Sequence, residues 1–371
     1  MPTQNTDVFA VDNGIIFTAP NQKWKVANGV DVIAGDAGVF SEQQGSKLVN
    51  KGWIYGGEAG GIFDAGGGVG NYVLKNKAGA EMIGGVGFGA VDFTGSLMVR
   101  NDGGIRGLEV GLYSIGSSNV EITNHGDITG IAAAIYAGFG TAGSSGAMVD
   151  NSGNIGGQLG ILFVNDLNIL AKITNRKGGV IEGTEAAIVS EERVKVKNDG
   201  KIKGDVFTAD HDDKVINKSK IKGDVWLGDG NDVYKSKNKA KAGMIDTREG
   251  NDKAVLGVKA DKLLFDTALN ATTNVDTVKK FEHKKDMMYL DQDIFSTIAP
   301  GQLSSSQFHK GTAAVDADDR IIYDRASGAL YYDPDGTGIL GQTQFAQFDP
   351  GTKVKADNFM IGEYSIATPS I

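Results

Sequence analysis

The 371 residues include 54 glycines, 6 prolines, 4 histidines and no cysteine, with aromatic side chains at 8%. A chain of this length can bury a large core, and so much glycine without a collagen period points to tight turns between short strands. The lack of cysteine excludes a disulfide framework, and a net charge of −9 argues against nucleic acid as a general partner.

Residues 1–20 read as an N-terminal cap. Their opening, Met-Pro-Thr-Gln-Asn-Thr-Asp, has neither a basic start nor a following apolar stretch, so no Sec-type signal peptide is expected there. No apolar run approaches the ~20 residues of a membrane span, so no membrane span is expected either.

Residues 21–204 carry a repeat of the form apolar-x-Asn, Gly, Ile, Gly. Clear copies lie at 47–56 (KLVNKGWIYG), 98–107 (MVRNDGGIRG), 121–130 (EITNHGDITG), 148–157 (MVDNSGNIGG) and 195–204 (KVKNDGKIKG). With weaker copies centred on Asn28, Asn76, Asn175 and Asn217, the asparagines are separated by 22, 26, 25, 23, 27, 24, 23 and 19 residues. A period in the twenties that tolerates small insertions is a solenoid signature. Strand alternation places Val194 and Val196 inward and Lys195 and Lys197 outward. The Asn-x-Gly step reads as a turn whose residues tolerate left-handed backbone, and the stacked asparagines are expected to hydrogen-bond as a ladder. Frequent glycine disfavours helix throughout. The expected fold is all-β: a right-handed parallel β-helix running into a calcium-binding roll and a C-terminal β cap. The repeat unit resembles those of bacterial surface and autotransporter-type passenger domains, which indicates an architecture and no activity.

Across 205–260 the coils shorten and acidic turns appear. Leu227 to Asp232 reads LGDGND, and Thr247 to Asp252 reads TREGND. Thr208 to Asp213, TADHDD, is a degenerate third copy with His211 where glycine is usual. Asp213 to Asp232 is 19 residues and Asp232 to Asp252 is 20, which puts the three turns on one side of successive coils. Glycine lets such turns point carbonyls inward, and carboxylates add the hard oxygens that Ca²⁺ takes. The candidate metal residues are Asp210, Asp213, Gly228, Asp229, Gly230, Asp232, Thr247, Glu249, Gly250 and Asp252. This pattern resembles the nonapeptide repeat of RTX proteins, although the opposite side carries Lys-rich runs at 218–223 and 235–241, so only one or two ions are expected. Of the 37 basic residues, 21 lie between 193 and 285. A solvated face that discourages edge pairing is their default role.

Residues 261–371 hold the motifs LNATTNVDTV (269–278), Lys-Phe (280–281), DMMYLD (286–291), DADDRIIYD (316–324), SGALYYDPDGTG (327–338) and DNFMI (357–361). Together they resemble the C-terminal domain of serralysin-like and related RTX proteins. That resemblance implies a cap on the calcium roll and an uncleaved signal for an ABC-type (type I) exporter, and hence a secreted, extracellular protein. Asp333 and Asp335 flank a turn and are weaker metal candidates.

Enzymatic signatures are sparse. None of His125, His211, His283 and His309 stands in a His-Glu-x-x-His, so the zinc protease of the serralysin family is not expected. A β-helix joined to RTX repeats also resembles polysaccharide lyases and alginate epimerases. Asp92, Arg100, Asp102 and Arg106 are the charges that a patch on the solenoid face would use. The leading expectation is a secreted calcium-binding protein with a structural, adhesive or surface-binding role, folded by calcium after export. An extracellular polysaccharide lyase or epimerase is the alternative, and extracellular polysaccharide or a cell surface is the expected partner.

Overall fold

The computed structural model describes residues 1–140 and 144–364, with the backbone alone for residues 65, 67–69 and 92. Among the described residues there is no α-helix, and the chain is a parallel β-solenoid that divides into two compact units, Met1–Asp205 and Val206–Ile371.

In the first unit a typical coil has three strands, for example Asn119–Asn124, Asp127–Gly130 and Ala133–Phe139. Each pairs in parallel with its equivalent one coil later, with Ile122 opposite Val149 and Ile128 opposite Ile155. The strands form because β-branched and apolar residues alternate with polar ones, and the inward set stacks on itself coil after coil. The repeat isoleucine forms one such column, Val32–Ile54–Met82–Ile105–Ile128–Ile155–Ile181, each at most 1% exposed. A side chain of this size gains about 1.5–3 kcal/mol on burial, so columns of apolar side chains supply the driving force. Strand Val194–Asn198 alternates as expected, with Val194 and Val196 buried beside exposed Lys195.

The asparagines make the ladder. Nδ2 of Asn50 donates to Oδ1 of Asn76, and the same bond repeats through Asn101, Asn124, Asn151, Asn175 and Asn198 at 2.8–3.0 Å. All seven are buried, and a buried amide needs such partners. Asn28 does not belong: Val26, not Asn28, stands opposite Asn50, so the ladder begins one coil later than the sequence count implies. The glycine of Asn-x-Gly also has a different reason from the expected one. At Gly126 the backbone is not left-handed; a Cβ there would lie 2.0 Å from the carbonyl oxygen of Gly103 in the preceding coil. Close approach of successive coils, not turn geometry, requires it. Within residues 1–20, strands Val8–Ala10 and Ile15–Phe17 pair in parallel with the next coil.

The second unit has two rows of strands. One runs Lys214–Asn217, Val233–Ser236, Lys253–Val255 and Asp276–Lys279, and is closed by Thr343–Phe348. The other runs Val225–Trp226, Met244–Asp246, Lys262–Phe265 and Met287–Asp291, and is closed by Phe359–Gly362. Ile321–Asp324, Ala329–Tyr332 and Thr343–Phe348 pair antiparallel in sequence. They are packed by edge-on aromatic contacts of Phe345 with Phe265 and Phe295.

Candidate cation site in the acidic turns

The acidic turns stack as the 19- and 20-residue spacing requires, and each residue of the Asn-Asp pair builds its own ladder. On the inside, the amide N–H of Asp213 donates to Oδ1 of Asp232 at 2.7 Å, that of Asp232 to Oδ1 of Asp252 at 2.7 Å, and that of Asp252 to Oδ1 of Asp276 at 3.3 Å. On the outside the bonds run the other way: Asn231 N–H donates to Oδ1 of Asp212, Asn251 N–H to Oδ1 of Asn231, and Val275 N–H to Oδ1 of Asn251.

The glycines bring the turns into contact. Gly228, Gly230 and Gly250 all have positive φ. A Cβ on Gly250 would sit 1.6 Å from the carbonyl oxygen of Gly230, and one on Gly230 would sit 2.5 Å from that of His211. Carbonyls of successive turns therefore point along the stack, beside the inner carboxylates.

Asp232, Asp252 and Asp276 each spend one oxygen on the ladder. The other oxygen, Oδ2, of both Asp232 and Asp252 is buried without a hydrogen-bond partner. Asp232 and Asp252 are each 1% exposed. Burial, reinforced by the neighbouring charge of Asp252, pushes the Asp232 carboxyl up to about 9. Asp252 is likewise pushed up to about 9, by burial first and then by Asp276. Such groups need either a proton or a cation when they are folded.

Among the expected residues, Asp213, Asp232, Thr247 and Asp252 converge on the inner stack, with Thr247 Oγ1 donating to Oδ2 of Asp276 at 2.9 Å. Asp210 and Glu249 are exposed and Asp229 is half-buried, so their side chains stand outside it. Asp333 and Asp335 act within their own loop: Asp333 Oδ1 accepts from Gly336 N–H at 2.9 Å, and Asp335 Oδ2 from Leu340 N–H at 3.1 Å.

Five buried or half-buried aspartates complete the picture and escaped the sequence reading. Asp276 is the fourth inner rung. Asp246 and Asp266 face each other; burial, then the charge of Asp266, raises Asp246 to about 8, and burial also raises Asp266. With Asp276 and Asn274 they line a void of about 10 Å³, room for roughly one water. On the opposite side of the coils, Asp261 N–H donates to Oδ1 of Asp286 at 3.1 Å, so acidic rungs are not confined to one side. The available signal was the recurrence of Asp246 and Asp266 at 20 residues and of Asp252 and Asp276 at 24.

Among the described residues no three Asp, Glu or His side chains form a ready metal cage. Any cation in these turns would therefore have to take many of its ligands from backbone carbonyls. Carbonyl and carboxylate oxygens are hard donors, the kind that Ca²⁺ with its flexible geometry would take.

The charges singled out on the first unit are not gathered into one patch. Asp102 meets His125 Nδ1 at 2.8 Å, Arg100 at 3.5 Å and Lys77 at 3.6 Å. Arg106 pairs instead with Glu81 at 2.9 Å, and the Asp92 side chain lies outside the described residues. Asp102 is lowered: burial opposes ionisation, but the His125 bond and the charges of Arg100 and Lys77 outweigh it.

Fold and site together define a parallel β-solenoid with stacked acidic turns. Compared with known proteins, the chain matches no family model, no curated protein and no solved structure.

Proposed function

We propose that the protein is a secreted, RTX-type calcium-binding β-solenoid with a structural, adhesive or surface-binding role. The observation that carries this reading is the pair of buried, unpartnered Oδ2 atoms on Asp232 and Asp252 in stacked Gly-x-Asn-Asp turns. Calcium entering between the turns replaces the protons that these carboxyls otherwise need, so binding free energy becomes folding free energy. At low calcium the acidic coils stay loose and suit passage through an ABC-type exporter. At the millimolar calcium outside a cell they close, with affinity in the ~10⁻⁴–10⁻³ M range of extracellular modules. The serralysin-like segment supports the export route; its last residues, 365–371, lie outside the described residues. Circular dichroism and limited proteolysis during a calcium titration test the proposal. Chelation is expected to expose residues ~205–290 to protease and calcium to protect them; identical digestion with and without calcium overturns it.

A polysaccharide lyase or epimerase is the second reading, and the Asp102–His125 pair, flanked by Lys77 and Arg100, favours it. A carboxylate-oriented imidazole beside cations can act as a general base on a uronate. New unsaturated ends on a uronate polymer, lost in His125→Gln, support it; an unchanged polymer removes it.

A further inference from the structure

In a chain with a net charge of −9, the second unit carries a groove lined by cations. Lys284, Lys310, Arg325, Lys353 and Lys355, with His283, line a cleft of about 400 Å³ that has no carboxylate in its wall. A neighbouring cleft of about 540 Å³ shares Lys310 and Lys355 and adds Phe308, His309 and Asp357. The five cations come from four stretches of chain, with only Lys353 and Lys355 close in sequence, so the fold brings most of them together.

All five are exposed. Some other cations of this unit do have acidic partners, as in Lys279–Asp349 at 2.7 Å and Lys285–Glu282 at 2.8 Å. Among the described residues none of the five groove cations has an ion-pair partner. Arg325 Nε donates to the Gly351 carbonyl at 3.0 Å, which fixes the guanidinium stem and leaves its outer N–H groups for a ligand. Five unpaired like charges along one cleft raise the local potential and attract anions.

We propose that this groove docks an acidic polysaccharide through its carboxylate or sulfate groups. A row of charges along an open cleft suits a flexible polyanion better than a single small anion. The wall of the first cleft holds no Phe, Tyr or Trp, the platforms on which single-stranded nucleic acid stacks its bases. This inference rests on the surface-binding role proposed above and names its ligand class; the calcium titration stands or falls separately from it.

The test is calorimetric titration of the full chain in calcium buffer with a short oligogalacturonate, a heparin hexasaccharide, a neutral dextran oligomer and a single-stranded oligonucleotide. Binding of an acidic oligosaccharide that weakens with salt, with none for dextran, is expected. Whichever of the first two binds more tightly identifies carboxylate or sulfate as the natural group. Lys310→Ala and Lys353→Ala are each expected to weaken it by roughly three- to five-fold, the scale of one exposed ion pair. The double reversal Lys310→Glu/Lys353→Glu should weaken it by more than ~20-fold. Lys237→Glu/Lys239→Glu, in the Lys-rich coil edge, serves as the control and should leave affinity unchanged. Far-UV circular dichroism identical to the parent shows that each variant folds. The proposal is overturned if no acidic oligosaccharide binds, if the control pair weakens binding as much as the groove pair, or if the oligonucleotide binds more tightly than either saccharide.

Discussion

Replacing Asp232 by Asn tests whether the inner ladder is held together at the expense of its own charge. Oδ1 of Asp232 accepts the Asp213 amide, and Asn keeps that acceptor. Oδ2 is buried and unpartnered, and Asn puts a neutral NH2 there. Without calcium, the folded carboxyl titrates at about 9 while the unfolded one titrates near 3.9. A carboxyl raised on folding contributes its full stability below pH ~4 and loses it as pH climbs toward ~9. Each pH unit in that window is worth about 1.4 kcal/mol, so roughly 4 kcal/mol has gone by pH 7. In a chelator at pH 7.5, Asp232→Asn should therefore be more stable than the parent by about 2–4 kcal/mol, allowing for an imperfectly bonded NH2. At pH 4 the two should agree. In millimolar calcium the order should reverse, since the variant has lost a charged ligand. Urea unfolding followed by far-UV circular dichroism, with Trp226 fluorescence as a local reporter in a Trp24→Phe/Trp53→Phe background, measures all three. A variant that is less stable than the parent in chelator at pH 7.5, or whose advantage does not change with pH, refutes the reasoning.

The Asn ladder predicts a cost at any rung. Asn124 Nδ2 donates to the Gly126 carbonyl, Asn151 Oδ1 and the Asn154 carbonyl, so Asn124→Ala should cost about 3–5 kcal/mol in denaturant unfolding. Asn124→Asp should be worse at neutral pH, because acceptors surround it, and should recover as pH falls. Gly126→Ala drives its Cβ against the Gly103 carbonyl and should cost about 3 kcal/mol, read as a lower melting temperature. Asp102, lowered in the folded state, contributes stability that is present above pH ~4 and lost below it. With its side chain only 18% exposed but its partners more so, Asp102→Asn should cost at most about 1 kcal/mol at neutral pH.

The solenoid was legible because its core is periodic in one residue type at a time: the repeat Ile and Asn occupy the same rung in every coil. Asn28 misled because a spacing counts identity and not register, and only the strand pairing places Val26 opposite Asn50. The Gly of Asn-x-Gly was found but misread, since close approach between coils is invisible within one coil. In the acidic turns Asp232 and Asp252 were visible in a repeated phrase. Asp276 was not, because the loop before it is longer and breaks the phrase, while its rung survives. The basic groove left no signal either: Lys284, Lys310 and Lys353 are brought together by strands that return across the coils.

The asparagine ladder also sets the unit in which this protein can change its length. Every rung from Asn76 to Asn175 presents Oδ1 toward one neighbour and Nδ2 toward the next, always in the same direction. Adding or removing one whole coil leaves every rung facing a rung it already knows how to bind. A partial insertion within a strand displaces one amide and orphans two others. Variation is therefore quantised in steps of about one coil, while loops between strands absorb the smaller differences in spacing. The first unit thus behaves as a ruler with fixed graduations, extended by copying its own divisions.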